Sequence, residues 1–148
     1  MYPVIKVLIQ AEAGSADKVR YDEKTLKPIE VGRVARPYPY AYGFVLATTA
    51  ADGDNADCYV FGDDGLKPGA IVDCEVVALL DQIESGEPDH KVLAVVAGQK
   101  AVLPEGVLGV LQDFIYAVFS EYPDSPVRVG PIHSRDAALH YLRECQDD

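Results

Sequence analysis

Three aspartates, Asp52, Asp54 and Asp57, lie within six residues of one another and follow shortly after the tyrosine-rich residues 38–43. So many carboxylates on one short turn repel each other unless bound cations neutralise them, and divalent ions with oxygen ligands are the natural neutralisers. A solvated acidic turn explains the aspartates alone equally well. The nearby tyrosine hydroxyls favour a site that binds several metal ions and a phosphate group.

Other motifs for metal or phosphate chemistry are absent from the sequence. An EF-hand loop starting at Asp52 would put Asp57 where glycine is required and Asp63 where a bidentate glutamate is expected. Residues 62–69 lack the spacing of a glycine-rich phosphate loop, and neither a Gly-x-Ser-x-Gly elbow nor a recognisable Cys and His arrangement is present. A water activated by metal remains as the candidate nucleophile.

Composition and charge limit the possible partners. The 148 residues fit a single domain spanning residues 1–148. The 13 basic and 24 acidic residues give a net charge of −11, which argues against nucleic acid and requires metal to mediate the binding of any phosphorylated substrate. No apolar run approaches the roughly 20 residues of a membrane span, so we expect a cytoplasmic protein without a membrane partner. The three cysteines are odd in number and widely spaced, which supports neither a disulfide framework nor a zinc site, so we expect them to be reduced and buried.

The elements that must position these groups are mostly strands. Short β-branched and aromatic runs at residues 4–9, 44–49, 58–61, 71–80 and 92–96 are separated by Gly, Pro and Asp clusters, and they predict a small barrel or a strongly curved sheet. Residues 81–91 form an acidic, hairpin-like connection. The fold class predicted is mainly β (α+β), with two C-terminal helices packed against the β-core.

Helical periodicity begins at Pro104 and continues to Tyr122, with Pro123 just beyond it. Tyr122 falls on the apolar stripe at the last predicted turn, where it either packs in the core or points its hydroxyl into a site, and packing is the commoner role. Ser134 is the predicted cap of a second, shorter helix that runs through Cys145.

The order Tyr38-Pro-x-x-Tyr42-Gly43 and then Asp52-Gly-Asp54-x-x-Asp57 resembles the signature of soluble family I inorganic pyrophosphatases. The resemblance extends from about residue 7 to residue 142 and includes residues 66–69, 89–91 and 119–122. It implies a five-stranded OB-like β-barrel with flanking helices. It also implies hydrolysis of pyrophosphate to two phosphates with several Mg²⁺ ions, for which Mn²⁺ or Zn²⁺ could substitute, in a homo-oligomer such as a hexamer.

The resemblance further implies roles for individual residues. Asp52, Asp57 and Asp89 would hold the first metal ion, and Asp57 would also bridge to the second. Asp54 would orient and deprotonate the attacking water, and Glu84, at a position that is usually Asp, would help Asp89 to bind a metal that arrives with the substrate. The groups that would hold phosphoryl oxygens are Lys18, Arg33, Tyr42, Lys91 and Tyr122, with Tyr38 as a supporting tyrosine.

Three positions depart from the family pattern. Gln10 and Arg20 stand where carboxylates are usual, and Pro123 stands where a phosphate-binding lysine is usual. Arg20 is a candidate replacement for that lysine. The departures motivate two alternatives: activity on another small phosphoanhydride or phosphate ester, or binding of metal and pyrophosphate, or of a protein partner, without turnover.

Overall fold

The computed structural model describes residues 4–148, within which the chain forms nine strands and two helices. In chain order the elements are β1 (Val4–Ala11), β2 (Asp17–Tyr21), β3 (Pro28–Arg33), β4 (Ala41–Val45), β5 (Asp57–Phe61), β6 (Ile71–Glu84), β7 (Glu87–Pro88), β8 (Lys91–Val96), α1 (Val107–Phe119), β9 (Val127–His133) and α2 (Arg135–Cys145).

Five strands close into a barrel. They are hydrogen-bonded in the order β1-β4-β5-β8-β6, and β6 pairs back onto β1. The β5–β8 pair is parallel, whereas the other barrel pairs are antiparallel. β7 and β9 extend the sheet from β6, and β2 and β3 form a separate two-stranded sheet. The predicted mainly β fold with a five-stranded barrel and two helices is confirmed.

Two buried clusters hold the barrel and the helices together. The first joins barrel residues on one side of the strands, such as Val7 and Val92, to Ala138 and Cys145 of α2. The second joins the opposite side of the strands to α1 through Leu111, Phe114 and Ile115. Alternation along each strand therefore serves both cores, because successive side chains point to opposite faces.

The strand predictions differ from the structure mainly at their ends. The strand predicted at residues 44–49 lies earlier, as β4 (Ala41–Val45), and Ala47 beyond it has a positive φ of 57° that interrupts an extended chain. The acidic residues 81–91 continue β6 to Glu84 and turn back into β7 through Ser85 and Gly86, both with positive φ. The β2–β3 hairpin and β9 were not assigned from the sequence.

The helices begin and end at local signals. The hydroxyl of Ser134 accepts the N–H of Ala137 at 3.3 Å, which confirms the predicted cap of α2. The prediction that Tyr122 lies on the last turn of the first helix is wrong, because α1 ends at Phe119. The N–H of Tyr122 bonds to the carbonyl of Phe119 in a tight turn, and Pro123 disfavours a helical conformation at the residue before it.

In the described part of the chain, neither helix has the length and apolar character that a bilayer crossing requires. Cys58, Cys74 and Cys145 are free and buried, as predicted.

Candidate active site

A cavity of about 290 Å³ lies between the barrel and α1. One wall is apolar and is formed by Phe114, Ile115, Val118 and Phe119 of α1. The cavity is also lined by most of the residues predicted from the sequence to bind metal, water or phosphate: Lys18, Tyr38, Tyr42, Asp52, Asp54, Asp57, Asp89 and Lys91.

Three predicted residues do not line this cavity. Arg33 ends β3, and its guanidinium lies 3.6 Å from the carboxylate of Asp17. Glu84 is the last residue of β6 and pairs in register with Glu87. Tyr122 lies in the turn after α1 with 58% of its surface exposed. The roles of these three residues stay predictions.

The floor of the cavity is set by strand register. In the parallel β5–β8 pair Asp57 is the direct partner of Lys91, and the Lys91 Nζ atom lies 2.6 Å from Asp57 Oδ2. The same ammonium donates to Asp89 Oδ1 and to the Tyr42 hydroxyl, both at 3.2 Å. Lys91 is only 6% exposed. We call Tyr42, Asp57 and Lys91 the cavity floor.

Neighbouring charges decide the protonation states of the floor. Burial alone would lower the pKa of Lys91, but Asp57, Tyr42 and Asp89 outweigh it and hold this pKa well above its ordinary value. Lys91 therefore stays charged. Burial raises the pKa of the Tyr42 phenol well above its ordinary value, so its hydroxyl stays protonated and can donate a hydrogen bond. Burial lowers the pKa of Lys18, and the charge of Asp57 partly offsets that effect.

Tyr42 also forms an aromatic support for two cations. The ammonium groups of Lys18 and Lys91 lie 5.3 Å and 5.7 Å from the centre of its ring, within the range of cation–π attraction. Tyr38 stacks on the same ring at 5.1 Å, and Tyr59 contacts it at 4.9 Å. This packing fixes the ring, and the ring in turn helps to orient both lysines toward the cavity.

The glycine after Tyr42 is required by close packing. A Cβ atom on Gly43 would lie 1.9 Å from the backbone oxygen of Leu8, because β1 passes directly beside this residue. A larger residue at position 43 would push β1 away from β4, and Tyr42 would move with its strand.

Residues 52–57 form a loop held by buried polar contacts. The Asp54 N–H donates to Asp52 Oδ1 at 3.0 Å. Asn55 is 1% exposed, donates through Nδ2 to the Val45 carbonyl at 3.0 Å and accepts from Lys24 Nζ at 2.7 Å. Because Asn55 anchors the loop from inside, the side chains of Asp52 and Asp54 remain exposed at the mouth of the cavity.

Lys24 connects this loop to the C-terminal segment. Besides Asn55, its ammonium donates to the Thr48 carbonyl at 2.6 Å, to the Thr49 hydroxyl at 2.8 Å and to Asp147 Oδ2 at 3.2 Å. The Thr49 hydroxyl donates to the other oxygen of Asp147 at 2.6 Å. We call these contacts the Lys24 anchor.

Sequence reasoning missed one carboxylate and one amide side chain of the cavity. Glu23 lies in the β2–β3 turn, and its Oε1 atom accepts the N–H of Asn55 at 2.9 Å. Burial raises the pKa of Glu23 to about 7. Gln82 is 1% exposed, its Nε2 lies 3.4 Å from Asp89 Oδ2, and its Oε1 has no partner among the described residues. Gln82 could have been found from the sequence, because a polar residue in the largely apolar strand β6 indicates a functional position. Glu23 could not, because its sequence context is that of an ordinary surface charge in a turn.

The charges of the cavity indicate which ligands it suits. With every group ionised, five carboxylates and two ammonium groups line it, so it has an excess of three negative charges and would repel an anion that arrived without cations. Within residues 4–148, no three Asp, Glu, His or Cys side chains are close enough to hold a metal ion as they stand, and the Lys91 ammonium lies between Asp57 and Asp89. The donor chemistry nevertheless fits hard divalent ions, because it consists of carboxylate oxygens and the unpaired amide oxygen of Gln82.

Comparisons with known proteins agree with this chemistry. The family model described as inorganic pyrophosphatase matches residues 7–148. The chain is 36% identical over 96 residues to the inorganic pyrophosphatase of Mycoplasma pneumoniae, an alignment that covers 63% of this chain and only 52% of that protein. It is 34% identical over 155 aligned positions to the inorganic pyrophosphatase of Thermus thermophilus, which covers 96% of this chain and 88% of that protein. The crystal structure of inorganic pyrophosphatase from Thermus thermophilus matches with a TM-score of 0.85 at 31% identity, over 96% of this chain and 88% of that one.

Proposed function

The chain belongs to the inorganic pyrophosphatase family, and we propose that it hydrolyses inorganic pyrophosphate to two phosphates with the help of divalent metal ions. The observation that carries this proposal is the meeting of four aspartates, two lysines and Tyr42 in one cavity with excess negative charge. Such a cavity needs cations before it can accept a small, highly charged anion.

The carboxylates are the residues that would hold the metal. Asp52, Asp57 and Asp89 would provide the first set of oxygen ligands, with Asp57 shared between two ions. Glu84, which does not line the cavity, would assist Asp89 only after moving toward it. Hard carboxylate ligands favour Mg²⁺, and Mn²⁺ or Zn²⁺ are possible substitutes. Bound there, the ions would neutralise the substrate and lower the pKa of a coordinated water.

Asp54 is positioned to accept a proton. Its carboxylate is exposed at the mouth of the cavity, on the loop that Asn55 fixes from the inside. From there its carboxylate would accept a proton from the attacking water as the general base.

The lysines and Tyr42 would hold the phosphoryl oxygens. Lys18 and Lys91 approach the same Tyr42 ring, and the protonated Tyr42 hydroxyl adds a neutral donor. Cationic and hydroxyl donors stabilise the charge that develops on the leaving phosphate. Arg33 and Tyr122 would reach the substrate only by moving from their exposed positions.

The apolar wall of α1 contributes by limiting water. Phe114, Ile115 and Phe119 offer no hydrogen bonds to solvent on their side of the cavity. The interactions of Lys91 and Asp57 are therefore stronger than they would be in open water.

Family membership and composition also support a proposal for assembly and location. We propose a cytoplasmic homo-oligomer, with a hexamer as the form to test, which binds pyrophosphate rather than nucleic acid or membrane. The net charge of −11 and the three free cysteines support this proposal. Light scattering in solution would give the oligomeric state. A single domain over residues 1–148 stays a prediction.

The test is phosphate release from pyrophosphate across a Mg²⁺ titration. We expect release by the wild type, its loss by about 10³-fold in Asp57→Asn, and no change in Asp124→Asn, which alters an exposed turn. A wild-type protein that releases no phosphate at any Mg²⁺ concentration would contradict the proposal. Faster release from tripolyphosphate or a nucleotide than from pyrophosphate would instead identify another phosphoanhydride as the substrate.

A further inference from the structure

Glu23 is a carboxylate of the cavity to which the proposed function has given no role. It lies where the main cavity meets a second cavity of about 470 Å³, and Lys18 and Asp54 also line both. Gln10 and Arg20 line the second cavity as well, and neither brings a negative charge to it. Glu23 therefore lies at the junction of the two cavities, and its charge acts on a ligand in either of them.

The position of Glu23 is well defined. Asp22 fixes the hairpin turn by accepting the N–H groups of Lys24 and Thr25 at 3.0 Å and 2.9 Å. Asn55 donates its backbone N–H to Glu23 Oε1 at 2.9 Å and its side-chain Nδ2 to the Glu23 carbonyl at 3.3 Å. The hairpin and the aspartate loop are thus joined at this residue.

The charge of Glu23 has no ion-pair partner in the described part of the chain. Lys18 lines both cavities with Glu23 and attracts its carboxylate, but the two groups do not form an ion pair within residues 4–148. Of the other hairpin cations that line the second cavity, Arg20 pairs with Glu30 at 3.3 Å and Lys24 with Asp147 at 3.2 Å. Asp54 and Asp57 face the same cavity, so the nearest acidic charges are repulsive. Because five carboxylates share this cavity with only two ammonium groups, a half-buried carboxylate such as Glu23 is unfavourable unless a further cation binds beside it.

The hydrogen bond from Asn55 does not explain why residue 23 carries a negative charge. An acceptor oxygen is sufficient to receive the Asn55 N–H, and a glutamine would provide one without any repulsion. We infer that Glu23 is an additional metal-supporting residue of this active site, whose carboxylate accepts hydrogen bonds from water bound to a divalent cation beside Asp54 and Asp57. This inference rests on the proposed metal-dependent function. It implies that the hairpin, as well as the barrel, contributes to metal affinity.

Glu23→Gln separates the two roles, because it removes the charge and keeps the acceptor for Asn55. The matched control is Glu105→Gln, which removes the same charge from an exposed position outside both cavities. Mg²⁺ binding is measured by calorimetry without pyrophosphate, and phosphate release is then measured against Mg²⁺ concentration. Thermal unfolding of each metal-free variant confirms that it folds.

We expect Glu23→Gln to bind Mg²⁺ about tenfold more weakly, since outer-shell partners of a metal contribute at least this much to affinity. Saturating Mg²⁺ should restore kcat to within about twofold of the wild type, and Glu105→Gln should match the wild type in both assays. Glu23→Asp, which keeps the charge on a shorter side chain, should recover part of the affinity.

Unchanged Mg²⁺ affinity in Glu23→Gln would overturn the inference, and so would a lower kcat with unchanged Mg²⁺ dependence, because that pattern indicates a purely structural role. If the wild type releases no phosphate, the proposed function fails, but calorimetry still decides this inference. Weaker binding by Glu23→Gln would support it, and equal binding would overturn it.

Discussion

The cavity floor and the β2–β3 hairpin present charges to the same cavity but hold them in different ways. Floor residues Asp57 and Lys91 lie opposite each other in paired strands, so the backbone register of the barrel fixes their distance. The hairpin forms its own two-stranded sheet, and every residue of β3 is exposed. Its Lys18 and Glu23 depend on side-chain contacts for their placement.

This difference separates the charges that contribute to the stability of the barrel from those that contribute only to ligand binding. Removing a floor charge leaves other partly buried charges unpaired between the barrel and α1, and it affects stability as well as chemistry. Removing a hairpin charge should change the affinity for metal or phosphate while the barrel stays intact. The following substitutions test that division.

The largest effect should come from Lys91→Met. It leaves Asp57 and Asp89 without their shared cation, and breaking a buried ion pair in this way costs about 3–5 kcal/mol of unfolding free energy. Mg²⁺ should restore part of the loss, because it can neutralise the same carboxylates. Chemical denaturation with and without Mg²⁺ measures this, and exposed Lys100→Met is the control. Equal stability of the two variants without Mg²⁺ would contradict the assignment of Lys91 to the fold.

The second largest effect should come from Gly43, where β4 packs closely against β1 next to Tyr42. Gly43→Ala should cost about 3 kcal/mol, because its Cβ meets the Leu8 carbonyl and β1 must shift. Gly109→Ala is the matched control: nothing lies within 4 Å of its added Cβ, and alanine in a helix should raise stability by about 0.5–1 kcal/mol. Similar melting temperatures for the two variants would contradict this prediction, because they would show that β1 shifts at little cost in stability.

A smaller effect is expected at the Lys24 anchor. Lys24→Met removes the donor to the buried Asn55 Oδ1, and an unsatisfied buried acceptor costs about 1–2 kcal/mol here. Mg²⁺ affinity should also fall, since the 52–57 loop loses its support, while the barrel remains folded. The control is Lys27→Met, an exposed residue of the same hairpin. If Lys24→Met lowers stability and leaves Mg²⁺ binding unchanged, the anchor does not position the loop.

The smallest effect is a pH dependence at the same anchor. The Thr49 hydroxyl and then Lys24 lower the pKa of Asp147 below its ordinary value. A carboxylate with a lowered pKa in the folded state contributes stability above its unfolded pKa of about 3.9, and this contribution is lost as the pH falls through the folded pKa. Asp147→Asn should therefore melt slightly below the wild type at pH 7 and together with it in stronger acid. Asp148→Asn should show no such change, and a gap that persists in acid would contradict the prediction.

The sequence predicted the 52–57 loop and the start of α2 better than the hairpin. Asp52, Asp54 and Asp57 are close in the chain, so their meeting needed no tertiary information, and Ser134 caps α2 through a contact three residues away. Glu23 acquires its place from Asn55, which is 32 residues distant, and no local pattern encodes that contact.

Tyr122 was misplaced for a different reason. Its apolar spacing continues the helical period, but the turn at Phe119 and the following proline end α1 earlier. Although Gln82 stands out in a largely apolar strand, local sequence could not assign it or Glu23 to this cavity, because the burial of a polar side chain depends on which elements pack around it. The roles of the site residues therefore stay predictions for the variants above to test.

The stacked tyrosines also provide an optical probe. The chain has nine tyrosines and no tryptophan, so its intrinsic ultraviolet emission comes from tyrosine alone. Tyr38, Tyr42 and Tyr59 lie in contact at the cavity, with the Lys91 ammonium 3.2 Å from the Tyr42 hydroxyl. Any ligand that draws Lys91 away changes the surroundings of this fluorophore cluster, so binding can be followed in real time without a label.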